Sequence, residues 1–232
     1  MCGRYSVGVT AGELEEVFEA PLVRPVALPR WNVAPTQDAP VVVTAASGAR
    51  EILPFRWGLI RRAASAGESR TINLRAESVA RGAFRDAFVR RRCLIPADGF
   101  YEWAQQGEGK RPYWIHHGRA GLLALAGLWE RWQPRAGKPV DGFAVLTTEP
   151  NGVVRPLHHR MPVVIAPEAW ATWLDPEASA DAVRTLVAPA PDALLAAHAV
   201  STLVNSVAID DPRCVAPFAV DRSEPIDLFE GR

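Results

Sequence analysis

The chain has 232 residues, of which 48% are hydrophobic and 22% charged, and its formal net charge is zero. Its apolar stretches reach about ten residues, too short to cross a bilayer, and no apolar segment typical of a secretory signal follows the first residues. Three widely spaced cysteines without a Cys-x-x-Cys pair exclude a disulfide-rich secreted domain and argue against a structural zinc site.

The charge is distributed unevenly along the chain. Residues 1–92 contain 14 Arg against 9 acidic residues, whereas residues 161–232 contain 4 Arg against 11 acidic residues. Of the 26 basic residues only Lys110 and Lys138 are lysine, and guanidinium groups suit bidentate contacts with phosphate. Codon usage in a GC-rich genome also produces an Arg excess, but the clustering favours a polyanionic partner.

Four helices are predicted in chain order. The first covers residues 11–19, because Thr10 and Glu13 form a capping box and apolar residues follow at helical spacing. Amphipathic patterns predict three more helices, over residues 83–91, 167–174 and 179–187.

Strands are predicted to be more numerous than helices. Short β-branched or aromatic runs indicate strands over residues 41–45, 51–59, 93–95, 99–103, 113–117, 122–132, 142–148, 163–166 and 198–204. Helices do not alternate regularly with them, which disfavours a βαβ wound sheet. We predict an α+β fold, a single domain whose mostly antiparallel sheets form a distorted, barrel-like β core flanked by a few short helices. The domain is expected at residues 1–217, before an acidic tail at 218–232.

Cys2 is the first candidate for chemistry. Removal of a Met before a small residue would leave Cys2 with a free amine of pKa ~8 beside a thiol of pKa ~8.5. Such a 1,2-aminothiol can attack an amide or ester through sulfur. Alternatively, its amine forms a Schiff base with an aldehyde, and the sulfur then closes a thiazolidine ring. An ordinary small residue at a processed terminus is the third interpretation.

Further polar candidates lie in strand-like segments. Asn73 and Arg75 lie on the same side of a short segment at a strand end, and Glu102 lies between aromatic residues. A carboxyl group against aromatic walls is desolvated, which raises its pKa and suits it to general acid catalysis. The alternative for Glu102 is an exposed carboxylate on an edge strand.

Two adjacent histidines, His158 and His159, form another candidate. Adjacent side chains on an extended segment face opposite ways, so we expect only one imidazole to enter a site. No further ligands accompany them at suitable spacing, and we therefore predict no metal and no cofactor. The tryptophans are expected to lie mostly in the core, although Trp57, close to Arg61 and Arg62, has a ring suited to base stacking.

Several segments together resemble the SOS-response-associated peptidase family. They occur in order between residues 1 and 217 and are MCGRY at 1–5, WNVAP at 31–35, WGL at 57–59, NLRAE at 73–77, FRDAF at 84–88, RCLIPADGFYEW at 92–103, HHRMP at 158–162 and VSTLVNSV at 200–207. Their combination is highly specific.

The resemblance implies a sensor that shields abasic sites in single-stranded DNA by covalent attachment. Cys2, exposed by peptidase-like and autocatalytic removal of Met1, would be the nucleophile that forms a thiazolidine with the ring-opened deoxyribose aldehyde. Asn73 would orient the Cys2 amine and the opened sugar. Glu102 would assist ring opening and proton transfer, and His158 would shuttle protons, including during reversal of the crosslink.

The resemblance also implies the DNA contacts. Arg4 and Arg75 would hold phosphates, Trp57 would lie near the DNA bend, and Pro35 and Thr147 would form the wall of the site. The implied partner is single-stranded DNA containing abasic sites, and no membrane is involved. We expect a monomer in the cytoplasm that associates with the nucleoid during DNA damage.

Two positions depart from the family pattern, and two other classes of function stay open. His159 replaces the usual Asp, and residues 60–65 replace a Pro and a Trp that often follow WGL. An N-terminal-nucleophile amidohydrolase, such as a glutamine amidotransferase domain, can also begin with MCG, but no segment that grips glutamine is visible. A non-covalent single-strand binding module would leave Cys2, Glu102 and His158 without roles.

Overall fold

Strands dominate the structure, a computed structural model that describes residues 2–60, 70–134 and 137–218. These ranges contain fourteen β-strands, which are β1 Tyr5–Val7, β2 Arg30–Val33, β3 Asp38–Thr44, β4 Arg50–Trp57, β5 Leu59–Ile60, β6 Arg70–Thr71, β7 Asn73–Arg75, β8 Arg92–Ala97, β9 Gly99–Gln106, β10 Gly109–His117, β11 Leu123–Trp132, β12 Val140–Thr148, β13 Met161–Pro162 and β14 Leu195–Ala199. They also contain five α-helices, which are α1 Ala11–Phe18, α2 Ala76–Val79, α3 Arg85–Arg90, α4 Trp170–Leu174 and α5 Ala180–Thr185. None of these helices is long and apolar enough to cross a membrane.

Five strands close into a barrel in the order β8, β3, β4, β12 and β11. The ring closes because β11 pairs with both β8 and β12. Within this ring, β4 and β12 are paired in parallel. The strands contribute fully buried side chains to one core, among them Val41, Leu94, Leu125 and Phe143. Burying such a side chain stabilises the fold by about 1.5–3 kcal/mol.

A second sheet, antiparallel throughout, has the order β14, β10, β9, β1 and β2. Because β1 lies between β2 and β9, the first residues of the chain enter the interior of a sheet and not its edge. Residues 200–217, here called the C-terminal strap, pack on this sheet. Val200, Val204 and Cys214 of the strap form a small cluster with Tyr101, separate from the main core.

Helix α1 forms where its capping signal predicts. The Thr10 side chain accepts a hydrogen bond from the backbone N of Glu13, whose carboxylate accepts one from the backbone N of Thr10. Leu14 and Phe18 are fully buried on the inner face. A capping box satisfies two backbone donors at the helix start, so this helix is specified locally.

The predicted strand over residues 198–204 is wrong in its second half. β14 ends at Ala199, and the strap then forms the 3₁₀ helix Thr202–Asn205. Ser201 begins this helix by accepting a hydrogen bond from the backbone N of Leu203 at 3.3 Å. A serine at this position competes with strand pairing because its hydroxyl bonds the local backbone.

Two other predicted strands are altered. The strand over residues 51–59 is divided into β4 and β5 by Gly58, whose φ of 134° lies in a region that favours glycine. Within the predicted strand 163–166, Val164 makes an isolated bridge with Leu125. The regular strand of this segment, β13, comes just before, at Met161–Pro162.

The architecture confirms the predicted α+β class, with one domain of mostly antiparallel sheets around a barrel core. Within the described ranges, β12 makes the parallel contacts, with β4 and β7. Residues 219–232, nearly all of the predicted acidic tail, lie outside the described residues.

Candidate active site

Two antiparallel strands bring the start of the chain to Glu102. β1 pairs with β9, and the backbone N of Tyr101 donates to the backbone O of Arg4 at 3.0 Å. The chain before β1 therefore runs beside β9, with Cys2 within electrostatic range of the Glu102 carboxyl.

β12 positions the remaining parts of the site. Its Thr147 pairs with Arg75 of β7 on one side and with Pro162 of β13 on the other. This pairing places β7, which begins at Asn73, on one side of β12 and β13, which follows His158, on the other. The structure thus unites the four residues predicted to be catalytic from segments distant in sequence.

The Cys2 thiol is protected from solvent. The residue is 1% exposed, and its Sγ lies 3.6 Å from the backbone O of Arg4. Burial, and secondarily the nearby Glu102 carboxyl, raises the pKa of this thiol well above its ordinary range. The thiol is therefore neutral at physiological pH, and it needs a base when it acts as a nucleophile.

The Asn73 amide contacts the backbone of the candidate nucleophile. Its Nδ2 donates a hydrogen bond to the backbone O of Cys2 at 2.8 Å. Its Oδ1 is buried and accepts no hydrogen bond within the part of the chain that the structure describes. A buried acceptor without a partner costs about 1–3 kcal/mol. Such an acceptor beside Cys2 is well placed for a donor on a substrate or on a free amine.

Glu102 combines burial with a usable protonation equilibrium. It is 3% exposed, and β9 is an interior strand of its sheet, whereas the alternative interpretation required an exposed carboxylate on an edge strand. Burial raises the pKa of its carboxyl to about 7. Both protonation states are then populated at neutral pH, which suits a group that must give and accept protons.

His158 lies against Glu102, with its Nδ1 3.7 Å from Oε1 of the carboxyl. The backbone N and O of Arg160 lie 3.0 and 3.1 Å from Nδ1, so this backbone offers the ring nitrogen both a donor and an acceptor. Burial lowers the pKa of His158, and its contact with the Arg160 backbone O opposes this effect. The imidazole is therefore mostly neutral at pH 7 and can accept a proton.

Arg160 is a residue of the site that the sequence interpretation did not single out. Its guanidinium makes a bidentate contact with Glu77, at 2.7 and 2.8 Å, and donates to the backbone O of Thr147. Glu77 belongs to the NLRAE segment and Arg160 to the HHRMP segment. Their place in these two family segments was the sequence signal that could have pointed to them. Thr147 itself is 1% exposed, with its hydroxyl donating to the backbone O of Leu74 at 3.2 Å.

The two arginines predicted to hold phosphates have different environments. Arg75 is exposed at the end of β7, beside the site. Arg4 is partly buried, and its Nη1 donates to Asn32 Oδ1 and to the backbone O of Val204, both at 2.7 Å. Arg4 therefore connects the site to the C-terminal strap. Its role as a phosphate ligand stays a prediction, as does that of Pro35, which is partly exposed in the turn after β2.

Trp57 lies in the core, where most of the tryptophans were expected, and its place near a DNA bend stays a prediction. Its side chain is fully buried, its Nε1 donates to the backbone O of Ile72 at 3.0 Å, and its ring packs edge-on against Tyr5 at 5.1 Å. A ring without exposed surface cannot stack on a base in this structure. Trp57 instead supports β1 and the segment that leads into Asn73. Residues 61–69 lie outside the described residues, so Arg61 and Arg62 do too.

A groove of about 720 Å³ opens beside His158, and its lining includes Trp103, Lys110, Arg155 and His159. The rings of His158 and His159 are stacked, with centroids 4.3 Å apart. His158 contacts Glu102, whereas His159 is exposed, and the expectation that only one imidazole enters the site stays a prediction. Among the described residues, no group of three or more His, Cys, Asp and Glu side chains is arranged to hold a metal.

Comparisons with known proteins find relatives over most of this chain. "Abasic site processing protein YoaM" of Bacillus subtilis is 36% identical over 89% of this chain and 93% of its own length. "Abasic site processing protein YoqW" of the same organism is 34% identical over 93% of this chain and 99% of its own length. "Abasic site processing protein HMCES" of Gallus gallus is 31% identical over 82% of this chain and 66% of its own length.

Solved structures share the fold. A protein from Bacteroides thetaiotaomicron superposes with a TM-score of 0.84 at 23% identity, covering 94% of this chain and all of that one. A phage-related protein from Bordetella bronchiseptica has a TM-score of 0.70 at 28% identity, covering 86% of this chain and 94% of that one. The sequence model of the SOS response associated peptidase (SRAP) family matches residues 1–207. The chain therefore belongs to the SOS response associated peptidase family.

Proposed function

We propose that this protein processes abasic sites in DNA by attaching itself covalently to them. The observation that carries the proposal is the contact between Asn73 and the Cys2 backbone, made beside a buried carboxyl group whose pKa is about 7. The names of the relatives support the same substrate. The attachment would shield the lesion during the DNA damage response.

The chemistry follows from an N-terminal Cys2 and an aldehyde. An abasic deoxyribose equilibrates between a ring and an open aldehyde, and the freed Cys2 amine attacks the aldehyde carbon. The adduct loses one water to give an imine. Sγ then adds to the imine carbon while its proton moves to nitrogen, which closes a thiazolidine. The second bond prevents the hydrolysis and the strand scission by β-elimination to which a simple imine is prone.

Each polar group of the site has a role in this series of reaction steps. Protonated Glu102 assists opening of the sugar and departure of water, and its ionised form takes protons back. Neutral His158 accepts a proton and returns it, including when the crosslink reverses. Asn73 Oδ1 accepts a hydrogen bond from the amine of Cys2 and so orients it. Removal of Met1 by the same groups would account for the peptidase in the family name.

Single-stranded DNA is the proposed partner, because the sugar must reach a buried sulfur. Exposed Arg75 contacts a phosphate, Arg4 contributes its remaining guanidinium donors, and Pro35 and Thr147 shape the wall. The proposed working form is a cytoplasmic monomer that joins the nucleoid when DNA is damaged. Its domain covers residues 1–217, with the tail from 218 onwards appended.

The test is incubation with a labelled single-stranded oligonucleotide that carries one abasic site. Denaturing electrophoresis should show a stable adduct, whose intact mass equals the protein without Met1 plus the oligonucleotide minus one water. An oligonucleotide whose abasic aldehyde has been reduced to an alcohol is the matched substrate control. Cys214→Ala, which removes another buried thiol, should crosslink as the wild type does.

Cys2→Ala separates the alternatives. It keeps an amine but lacks sulfur, so it should form only an imine that borohydride traps and that leads to strand cleavage. A heat-stable adduct of Cys2→Ala without reduction would contradict the thiazolidine. Turnover of glutamine by the wild type would favour an amidohydrolase. Equal, wholly non-covalent binding of abasic and intact strands would favour a binding module.

A further inference from the structure

An ion pair joins two segments of the site that are far apart in sequence. Glu77 lies in α2, directly after the strand that carries Asn73, and Arg160 lies two residues after His158. The carboxylate and guanidinium meet through two parallel hydrogen bonds of 2.7 and 2.8 Å. Bidentate pairs of this kind combine strength with a fixed geometry.

Arg160 also holds His158 through its backbone. Its N donates to Nδ1 of the imidazole at 3.0 Å, and its O lies 3.1 Å from the same nitrogen. The N–H serves the ring when Nδ1 carries no proton, and the carbonyl serves the ring when Nδ1 is protonated. One residue therefore provides a partner for each protonation state, provided that its backbone stays in place.

The guanidinium keeps that backbone in place. The Arg160 side chain is 12% exposed, and it donates to the backbone O of Thr147 as well as to Glu77. Its hydrogen bond to Glu77 lowers the pKa of this carboxyl, against the opposing effect of burial. Without Glu77, a largely buried positive charge would lose its counter-ion, which is costly.

We propose that Glu77 is a positioning residue for His158, acting through Arg160. Its carboxylate fixes the guanidinium, the guanidinium fixes the backbone of the turn, and the backbone holds the imidazole through Nδ1, beside the Glu102 carboxyl. The inference rests on the proposed function of the site.

The test compares Glu77→Gln with Asp141→Asn. Asp141 forms a similar bidentate pair with Arg131, at 2.7 and 2.8 Å, on the hairpin of β11 and β12. Three quantities are measured for each variant: affinity for single-stranded DNA, single-turnover rate of crosslinking, and NMR titration of the His158 ring, assigned by its loss in His158→Ala.

Glu77→Gln should keep its affinity for intact single strands within about twofold but crosslink about tenfold more slowly, because small misplacements of a catalytic group reduce rate strongly. The His158 pKa should move upward, towards its ordinary value, as the ring escapes burial. Arg160→Lys, which keeps the charge and the backbone, should give a smaller loss of rate. Asp141→Asn should match the wild type in all three measurements.

An unchanged rate together with an unchanged His158 titration would overturn the inference, and so would equal losses in Glu77→Gln and Asp141→Asn. If Glu77→Gln does not fold, a wild-type rate and titration in Arg160→Lys would overturn it. Failure of the proposed function is a different result, in which the wild type forms no adduct with the abasic strand. The His158 titration still tests the positioning in that case, because it needs no DNA.

Discussion

Glu102→Gln should stabilise the folded protein at alkaline pH, because an ionised carboxylate is unfavourable where Glu102 is buried. The ordinary pKa is 4.5, and burial raises it to about 7 in the folded state. Between these values the unfolded chain has lost the proton that the folded chain keeps. Each pH unit then lowers the free energy of unfolding by about 1.4 kcal/mol. The penalty is absent below pH 4.5, grows as pH rises, and reaches about 3 kcal/mol above pH 7.

The assay is urea unfolding of the wild type and Glu102→Gln at pH 5 and pH 8. Gln keeps the shape of the side chain and cannot ionise, so the variant should gain under about 1 kcal/mol at pH 5 and about 3 kcal/mol at pH 8. Glu108→Gln makes the same change at an exposed position in the turn between β9 and β10 and should show no such trend. An identical pH dependence for the wild type and Glu102→Gln would refute the argument.

Three further perturbations test the site and its support. Asn73→Ala should slow imine formation about tenfold in a borohydride-trapping time course, because the Cys2 amine loses its acceptor; an unchanged rate would remove Asn73 from the mechanism. Trp57→Ala should lower the free energy of unfolding by about 3–5 kcal/mol in urea, as expected for a large buried ring, whereas a loss under 1 kcal/mol would contradict its place in the core. Arg75→Gln should make the slope of log affinity against log salt shallower by about 0.7 for single-stranded DNA, the value for one phosphate contact. An unchanged slope would show that Arg75 contacts no phosphate.

Local signals predicted the elements that form from local interactions. The capping box of Thr10 and Glu13 specified α1, and the β-branched runs specified β3 and β12, because their patterns reflect burial directly. The strand predicted over residues 198–204 failed at Ser201, whose hydroxyl accepts a hydrogen bond from the backbone N of Leu203. The short strands β1 and β7 carry little pattern of their own, since their partners β9 and β12 are supplied by distant parts of the chain.

In the candidate site, too, some features were visible in the sequence and others depend on the fold. Cys2, Asn73, Glu102 and His158 were predicted because their chemistry and their motifs are visible in the sequence. The burial of Trp57 agrees with the expectation that most of the tryptophans lie in the core, and it leaves no ring surface for base stacking. Sequence patterning gives no distances, so the bidentate pairing of Arg160 and the stacking of His159 on its neighbour emerged only from the fold.

The C-terminal strap has a consequence for the order of events during synthesis. Arg4 donates to the backbone O of Val204, 200 positions later, and Asn32 donates to that of Ile209 at 2.6 Å. Cys2 is among the first residues translated, yet Glu102 and His158 lie far downstream, and the strap that bonds Arg4 follows them. Removal of Met1 by Glu102 and His158 cannot precede their translation, and support from the strap comes later still, whereas an aminopeptidase acts on the emerging chain. The time at which ribosome-bound chains lose Met1 distinguishes self-processing from processing by another enzyme.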